Sequence, residues 1–123
     1  MRPRRSAFIL AALAAIAALV AAASAHAATP RLVAETGPGF TVQVKTSAGK
    51  SVKSLKAGTY VIKVEDKSSI HNFHLFGPGV NKTTSVDGTG EKTWTVKLKP
   101  GKYTYQCDVH VAEGMKGTFK VVS

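Results

Sequence analysis

Three observations predict an all-β fold, a Greek-key antiparallel β-sandwich or barrel, for most of this 123-residue chain. Beyond residue 27, apolar and polar residues alternate with period two, and no run shows the spacing of an amphipathic helix. Turn-forming residues punctuate the alternation closely enough for six to eight short strands, roughly one every 8–12 residues. Leu55-Lys56-Ala57-Gly58-Thr59-Tyr60 and Leu98-Lys99-Pro100-Gly101-Lys102-Tyr103 repeat the pattern L-K-x-G-x-Y. The second copy has the form of a tyrosine corner, in which the hydroxyl bonds back to upstream backbone.

Taken in order, Phe40, Val42 and Val44 alternate with Thr41, Gln43 and Lys45, and Ser47-Ala48-Gly49-Lys50 turns the chain. Val52 and Leu55 lead into the turn Lys56-Ala57-Gly58. Tyr60, Ile62 and Val64 then alternate with Val61, Lys63 and Glu65 as far as Asp66-Lys67-Ser68-Ser69. Ile70 to Phe76 reads as a strand ended by Gly77-Pro78-Gly79, and the Thr-, Gly- and Asn-rich stretch from Val80 to Gly90 reads as a long loop. Trp94, Val96 and Leu98 alternate cleanly before Lys99-Pro100-Gly101. Tyr103, Tyr105 and Cys107 share one strand face, and Phe119 and Val121 mark the last strand.

The start of the chain reads differently. Arg2, Arg4 and Arg5 precede an apolar run from Ala7 to Ala23, and Ala25-His26-Ala27 offers the small-x-small pattern of a cleavage site. Residues 1–27 are therefore expected to be a secretory signal peptide, and 28–123 a single domain. An uncleaved anchor is the alternative, but the run is alanine-rich and no basic flank follows it. Export to the periplasm or extracellular space is expected, without stable membrane insertion after cleavage.

Losing the three leader arginines lowers the formal net charge from +10 to +7. The remaining cations are nearly all lysines spread one or two per strand, the pattern of solvated faces and protected edges. Clustered arginines with interleaved aromatics are missing, so nucleic-acid binding is not expected. An acidic partner is the most that the charge suggests.

Chemistry concentrates near the C-terminus. Cys107 is the only cysteine and Met115 the only methionine besides Met1; with His110 they form C-x2-H-x4-M. A thiolate, an imidazole and a thioether suit copper, above all a trigonal His2Cys site with a weak axial Met. Cys107 ends a strand whose inward face carries Tyr103 and Tyr105, and Gly114 permits the return that brings Met115 back. Alone, His110 would pass for a surface histidine and Met115 for core filling. The missing histidine must come from His71-Asn72-Phe73-His74. Strand residues three apart face opposite sides, so His71 and His74 cannot both serve. His71 shares parity with Phe73 and Leu75, which favours it, although Phe76 shares parity with His74. Asp108 and Glu113 are read as solvated. No nucleophile with an adjacent base and no paired carboxylates are present, so an enzyme is not expected.

The Tyr-x-Cys-x-x-His-x4-Met-x-Gly run with an upstream His-Asn pair resembles the plastocyanin branch of the cupredoxins, the blue (type 1) copper proteins. The similarity covers about Val42 to Val121 and is strongest over Leu98–Val121. The resemblance implies His71, Cys107 and His110 as equatorial ligands of one copper ion, Met115 as the axial ligand, and Asn72 as a brace for the cysteine loop. It also implies a monomeric carrier shuttling single electrons through the edge of His110, inside an apolar patch that docks redox partners transiently. Val109, Val111 and Ala112 could form that patch, with Gly77-Pro78-Gly79-Val80 at the same end. Two positions depart from the family pattern. Val109 stands where proline is usual, which bears on fine geometry and reduction potential. His74 is an extra histidine and the alternative ligand. A copper-binding or copper-delivery protein on the same fold is the competing reading, and a metal-free interaction module a third.

Overall fold

The computed structural model describes residues 27–123, so the leader expected over residues 1–27 lies, but for Ala27, outside the described residues. Nine strands follow: β1 (Arg31–Thr36), β2 (Val42–Thr46), β3 (Ser54–Lys56), β4 (Gly58–Asp66), β5 (His74–Gly77), β6 (Val80–Thr83), β7 (Gly90–Leu98), β8 (Gly101–Gln106) and β9 (Lys116–Val122). They form two sheets, in the orders β2-β1-β4-β7 and β3-β9-β8-β5-β6. The chain crosses between sheets after β2, β3, β4, β6 and β7, as a Greek-key sandwich requires. Among the described residues, no helix is long and apolar enough to cross a membrane.

The sandwich is not wholly antiparallel, as the sequence suggested. β1 runs parallel to β4, and β3 parallel to β9; the other pairs are antiparallel. Both parallel pairs join strands distant in sequence, as parallel pairing must. β1 and β6 also lie where the sequence reading placed no strand. β1 alternates Leu32, Ala34 and Thr36 inward, but Val33 between them blurs the pattern. β6 buries only Val80, so three of its four residues look like loop.

The core fills the space between the sheets. Leu32, Ala34, Val44, Ile62, Val64, Val96 and Leu98 come from the first sheet; Leu75, Tyr103, Phe119 and Val121 come from the second, with Phe73 just before β5. The larger aliphatic and phenylalanine side chains among them each contribute about 1.5–3 kcal/mol by leaving water. Tyr103 stacks on Phe119 at 5.4 Å between ring centroids, and Phe73 stacks on Tyr105 at 6.0 Å.

Both copies of L-K-x-G-x-Y use their tyrosine hydroxyl four residues back. Tyr60 Oη donates to the Lys56 carbonyl at 2.7 Å, and Tyr103 Oη accepts the Lys99 N–H at 2.9 Å. Tyr103 Oη also donates to the Pro78 carbonyl at 2.7 Å, tying the β5–β6 turn to the β7–β8 turn. Tyr103→Phe is therefore expected to strand both backbone groups and cost about 1–3 kcal/mol. Tyr60→Phe, which breaks one bond, should cost less; urea unfolding midpoints compare the two.

These ladders place one end of the second sheet for function. Gln106 of β8 faces His74 of β5 on one side and Lys116 of β9 on the other. The segments 107–115 and 71–73 thus meet beyond the same sheet end. Gly77-Pro78-Gly79-Val80 lies at the opposite end, where Pro78 packs on Gly101, so it does not line the site as expected.

Candidate metal centre

Residues 107–115 close on themselves. The Cys107 N–H donates to the Met115 carbonyl at 3.0 Å and the Met115 N–H to the His110 carbonyl at 3.2 Å; the His110 N–H returns to the Cys107 carbonyl at 3.2 Å. A single 3-10 turn, Val111–Glu113, sits inside the loop and ends at Gly114 with φ +89°. That left-handed angle is one that glycine adopts without steric cost. The outcome is a short loop bonded end to end, in which Cys107 and Met115 are completely buried and His110 is partly exposed.

His71 arrives from the other side. It does not sit on a strand, as the parity reading assumed, but on an irregular segment just before β5. Bonds from distant residues fix that segment: Thr36 Oγ1 donates to the Asn72 carbonyl at 3.1 Å, and the Phe73 N–H donates to Thr84 Oγ1 at 2.8 Å. Gly37 presses against the imidazole so closely that a Cβ there would stand 3.0 Å from His71 Cδ2. His71 is wholly buried.

Three donor atoms converge. His71 Nδ1 and His110 Nδ1 are 2.9 Å apart, and Cys107 Sγ lies 3.4 Å from His110 Nδ1 and 3.8 Å from His71 Nδ1. Donors bound to one first-row ion at about 2.0 Å (nitrogen) and 2.3 Å (sulfur) stand roughly 3.3–3.7 Å apart. The observed separations bracket that range. Two facing Nδ1 atoms can share only one proton, and His71 Nε2 is buried without a hydrogen-bonding partner among the described residues. A cation held by the three donors would take the place of that shared proton. Two imidazoles and a thiolate suit copper, so the donor set fits that ion. His71, Cys107 and His110 are also the one group of three metal-binding side chains found among the described residues.

The neighbouring polar residues form a clamp. Asn72 Oδ1 accepts the Asp108 N–H at 2.8 Å, while Asn72 Nδ2 donates to Asp108 Oδ2 at 2.9 Å and to Thr83 Oγ1 at 3.0 Å. Asp108 is exposed, as its loop position suggested, but it is bonded into the clamp. It also accepts from Gln106 Nε2 at 2.8 Å and from His74 Nδ1 at 2.9 Å. His74 Nε2 faces Asn81 Oδ1 at 2.6 Å. With an acceptor at each ring nitrogen, His74 is satisfied as an imidazolium and stands apart from the three converging donors.

These contacts shift both groups. Burial alone would lower the His74 pKa, but its bonds to Asn81 and Asp108 and the Asp108 charge outweigh burial and hold it above the ordinary imidazole value. Burial alone would raise Asp108, but hydrogen bonds from Gln106, His74 and Asn72, with the His74 charge, hold it below the ordinary carboxylate value. A raised histidine stabilises below its unfolded pKa and loses that contribution as pH climbs through the folded one. A depressed aspartate stabilises above its unfolded pKa and loses the contribution as pH falls through the folded one. Both act together between about pH 4 and pH 6.5. His74→Gln is accordingly expected to lower the urea midpoint more at pH 5.5 than at pH 8.5.

The surface above the donors is apolar. The Phe40 ring stands edge-on to both imidazoles, 4.7 Å from His110 and 5.3 Å from His71. Phe40 does not belong to a strand, as its alternation suggested; it follows the Gly37-Pro38-Gly39 bend and is 54 % exposed. Val109 is likewise 54 % exposed and Ile70 51 %. Phe40 is the site neighbour that the sequence reading missed, and the Gly-Pro-Gly before it was the available signal.

Comparison with known proteins agrees with this architecture. Similar solved structures include rusticyanin from Thiobacillus ferrooxidans, at 23% identity and a TM-score of 0.53 over 75% of this chain and 76% of that one. A methionine variant of rusticyanin has 22% identity and a TM-score of 0.56 over 75% and 76% of the two chains. Dithionite-reduced auracyanin from Roseiflexus castenholzii has 18% identity and a TM-score of 0.54 over 79% of this chain and all (100%) of that one. At these identities the likeness shows the fold. The family itself comes from the sequence: the model described as copper binding proteins, plastocyanin/azurin family, matches residues 40–122. The chain belongs to that family, the cupredoxins, and is a copper electron-transfer protein rather than an enzyme.

Proposed function

We propose that this chain is an exported, monomeric type 1 copper protein that passes single electrons between redox partners. His71, Cys107 and His110 would hold the copper ion, with Met115 as the fourth and weaker ligand. Bound copper supplies a one-electron Cu(I)/Cu(II) couple. The observation that carries the reading is the convergence of two Nδ1 atoms and one Sγ within 3.8 Å of one another, beneath a partly exposed imidazole.

The chain's own residues do the rest. The loop bonded at both ends and the Asn72 clamp keep the donors in place whichever charge the site holds, and that rigidity keeps the reorganisation barrier low. His110 is the one member of the converging trio that reaches the surface, which supports it as the exit for the electron. Phe40, Val109 and Ile70 support an apolar docking rim, and the lysine-rich remainder supports an acidic partner. Export rests on the leader pattern of residues 1–27, with a periplasmic or extracellular destination. Nothing favours copper delivery: His74 already has both ring nitrogens engaged by Asp108 and Asn81.

Adding Cu(II) to the purified 28–123 domain tests the proposal. An intense thiolate-to-copper absorption with narrow hyperfine splitting in the electron paramagnetic resonance spectrum is expected. Colourless binding, or binding unaffected by loss of the cysteine, would overturn it.

A further inference from the structure

The Asp108 carboxylate follows the buried thiol directly and receives donors from three separate segments. Asn72 Nδ2 comes from the irregular segment before β5, His74 Nδ1 from β5 and Gln106 Nε2 from β8. An ionised carboxylate only accepts, so it fixes which way the Asn72 amide faces. With the Asn72 NH2 turned to the carboxylate and to Thr83 Oγ1, its Oδ1 must meet the Asp108 N–H, as it does at 2.8 Å. The orientation of the brace on the cysteine loop is thus set by the next residue in that loop. His74 in turn holds the carboxylate through both oxygens, at 2.9 and 3.1 Å.

The same carboxylate places a negative charge one residue from Cys107. An electron gained by a bound ion would add negative charge beside that anion. Asp108 therefore favours the oxidised state, and a cationic His74 opposes it. Asp108 is exposed, with 40 % of its side chain accessible, so solvent screens part of this interaction, while the bonds from Asn72, His74 and Gln106 hold the charge in place one residue from the thiol.

Building on the electron-carrier reading above, we propose that Asp108 and His74 are a charge-compensated pair of positioning residues. The pair orients Asn72 against the Cys107 loop, and its two members move the reduction potential of the centre in opposite directions.

Two measurements on the 28–123 domain test this at pH 6, using wild type, Asp108→Asn and His74→Gln. In metal-free protein, the rate at which a small aromatic disulfide modifies Cys107 reads the clamp; Asp108→Asn should accelerate it about tenfold or more. In copper-loaded protein, spectroelectrochemical titration reads the charge. Asp108→Asn should raise the Cu(I):Cu(II) ratio at fixed ambient potential by about tenfold, which is 59 mV for one electron, and His74→Gln should lower it. A purely structural pair would shift the potential in the same direction in both variants, and that result overturns the charge role. An unchanged thiol rate in Asp108→Asn overturns the positioning role. If wild type never turns blue, the electron-carrier reading and the charge role both fall, and the thiol rate alone decides the clamp.

Discussion

Cys107→Ser is expected to abolish the intense visible band of the copper-loaded protein and to weaken copper binding by at least about a hundredfold. Cys107 is the single thiol in the chain and lies wholly buried between two imidazoles. Serine matches its shape but not its chemistry: a hydroxyl stays protonated at neutral pH, and a neutral oxygen is a poor partner for a soft ion. Losing a contact that merely orients a ligand already costs 10–100-fold in metal affinity, so losing the anionic ligand itself should cost more. The fold should survive. The new hydroxyl takes the sulfur's place beside two imidazole nitrogens, now 3.4 and 3.8 Å from the sulfur, and burying one small hydroxyl costs about 1–3 kcal/mol. Copper titration followed by absorbance, beside a urea melt of the metal-free protein, separates the two effects. A variant that keeps its visible band would remove the thiolate from the centre.

Much of this architecture was legible because the signals were local. The C-x2-H-x4-M spacing delimits a loop whose ends are bonded to each other, and the parity of Tyr103, Tyr105 and Cys107 sends that loop out from the inward face of β8. The two tyrosines of the repeated motif bond four residues back, a distance that sequence can show. What escaped depends on partners far along the chain. Parallel pairing of β1 with β4 is invisible in either strand, since alternation marks a face and not a neighbour's direction. His71 was read on a strand because Phe73 and Leu75 continue its alternation. Its segment is instead held out of the ladder by Thr36 and Thr84, which no local pattern connects to it. The bonds of Asp108 escaped for the same reason, as Asn72 and His74 lie more than thirty residues upstream. Phe40 passed for the first residue of a strand, although the glycines before it start a bend that carries its ring over the imidazoles.

The largest expected loss of stability comes from one methyl group, in Gly77→Ala. Gly77 ends β5 with an ordinary backbone, so the strain would be spatial and not conformational. A Cβ there would stand 2.5 Å from Cδ1 of Tyr103 and 2.8 Å from its Cγ. Real contacts of that length do not occur, and the ring has nowhere to go. Tyr103 is fully buried, its hydroxyl is held by the Pro78 carbonyl and the Lys99 N–H, and its face lies 7° from parallel to Phe119. Relief requires β5 to part from β8 or the ring to abandon both hydrogen bonds. Overpacking costs about 1–3 kcal/mol and the stranded backbone groups a similar amount, so a loss of about 3 kcal/mol or more is expected. Against a typical total of about 5–15 kcal/mol, that is a large fraction. Gly39→Ala is the control, because a Cβ there meets nothing within 4 Å. Gly117→Ala makes a still shorter approach, to Cζ of Tyr105, but it meets the far end of a partly buried side chain whose displacement breaks no such pair of backbone bonds, so its cost should be smaller. Tyr103→Leu supplies the decisive background: with the ring gone, Gly77→Ala should lose most of its effect, a non-additivity that urea unfolding of the four proteins would show. Equal losses in both backgrounds would mean that the methyl group meets something other than Tyr103.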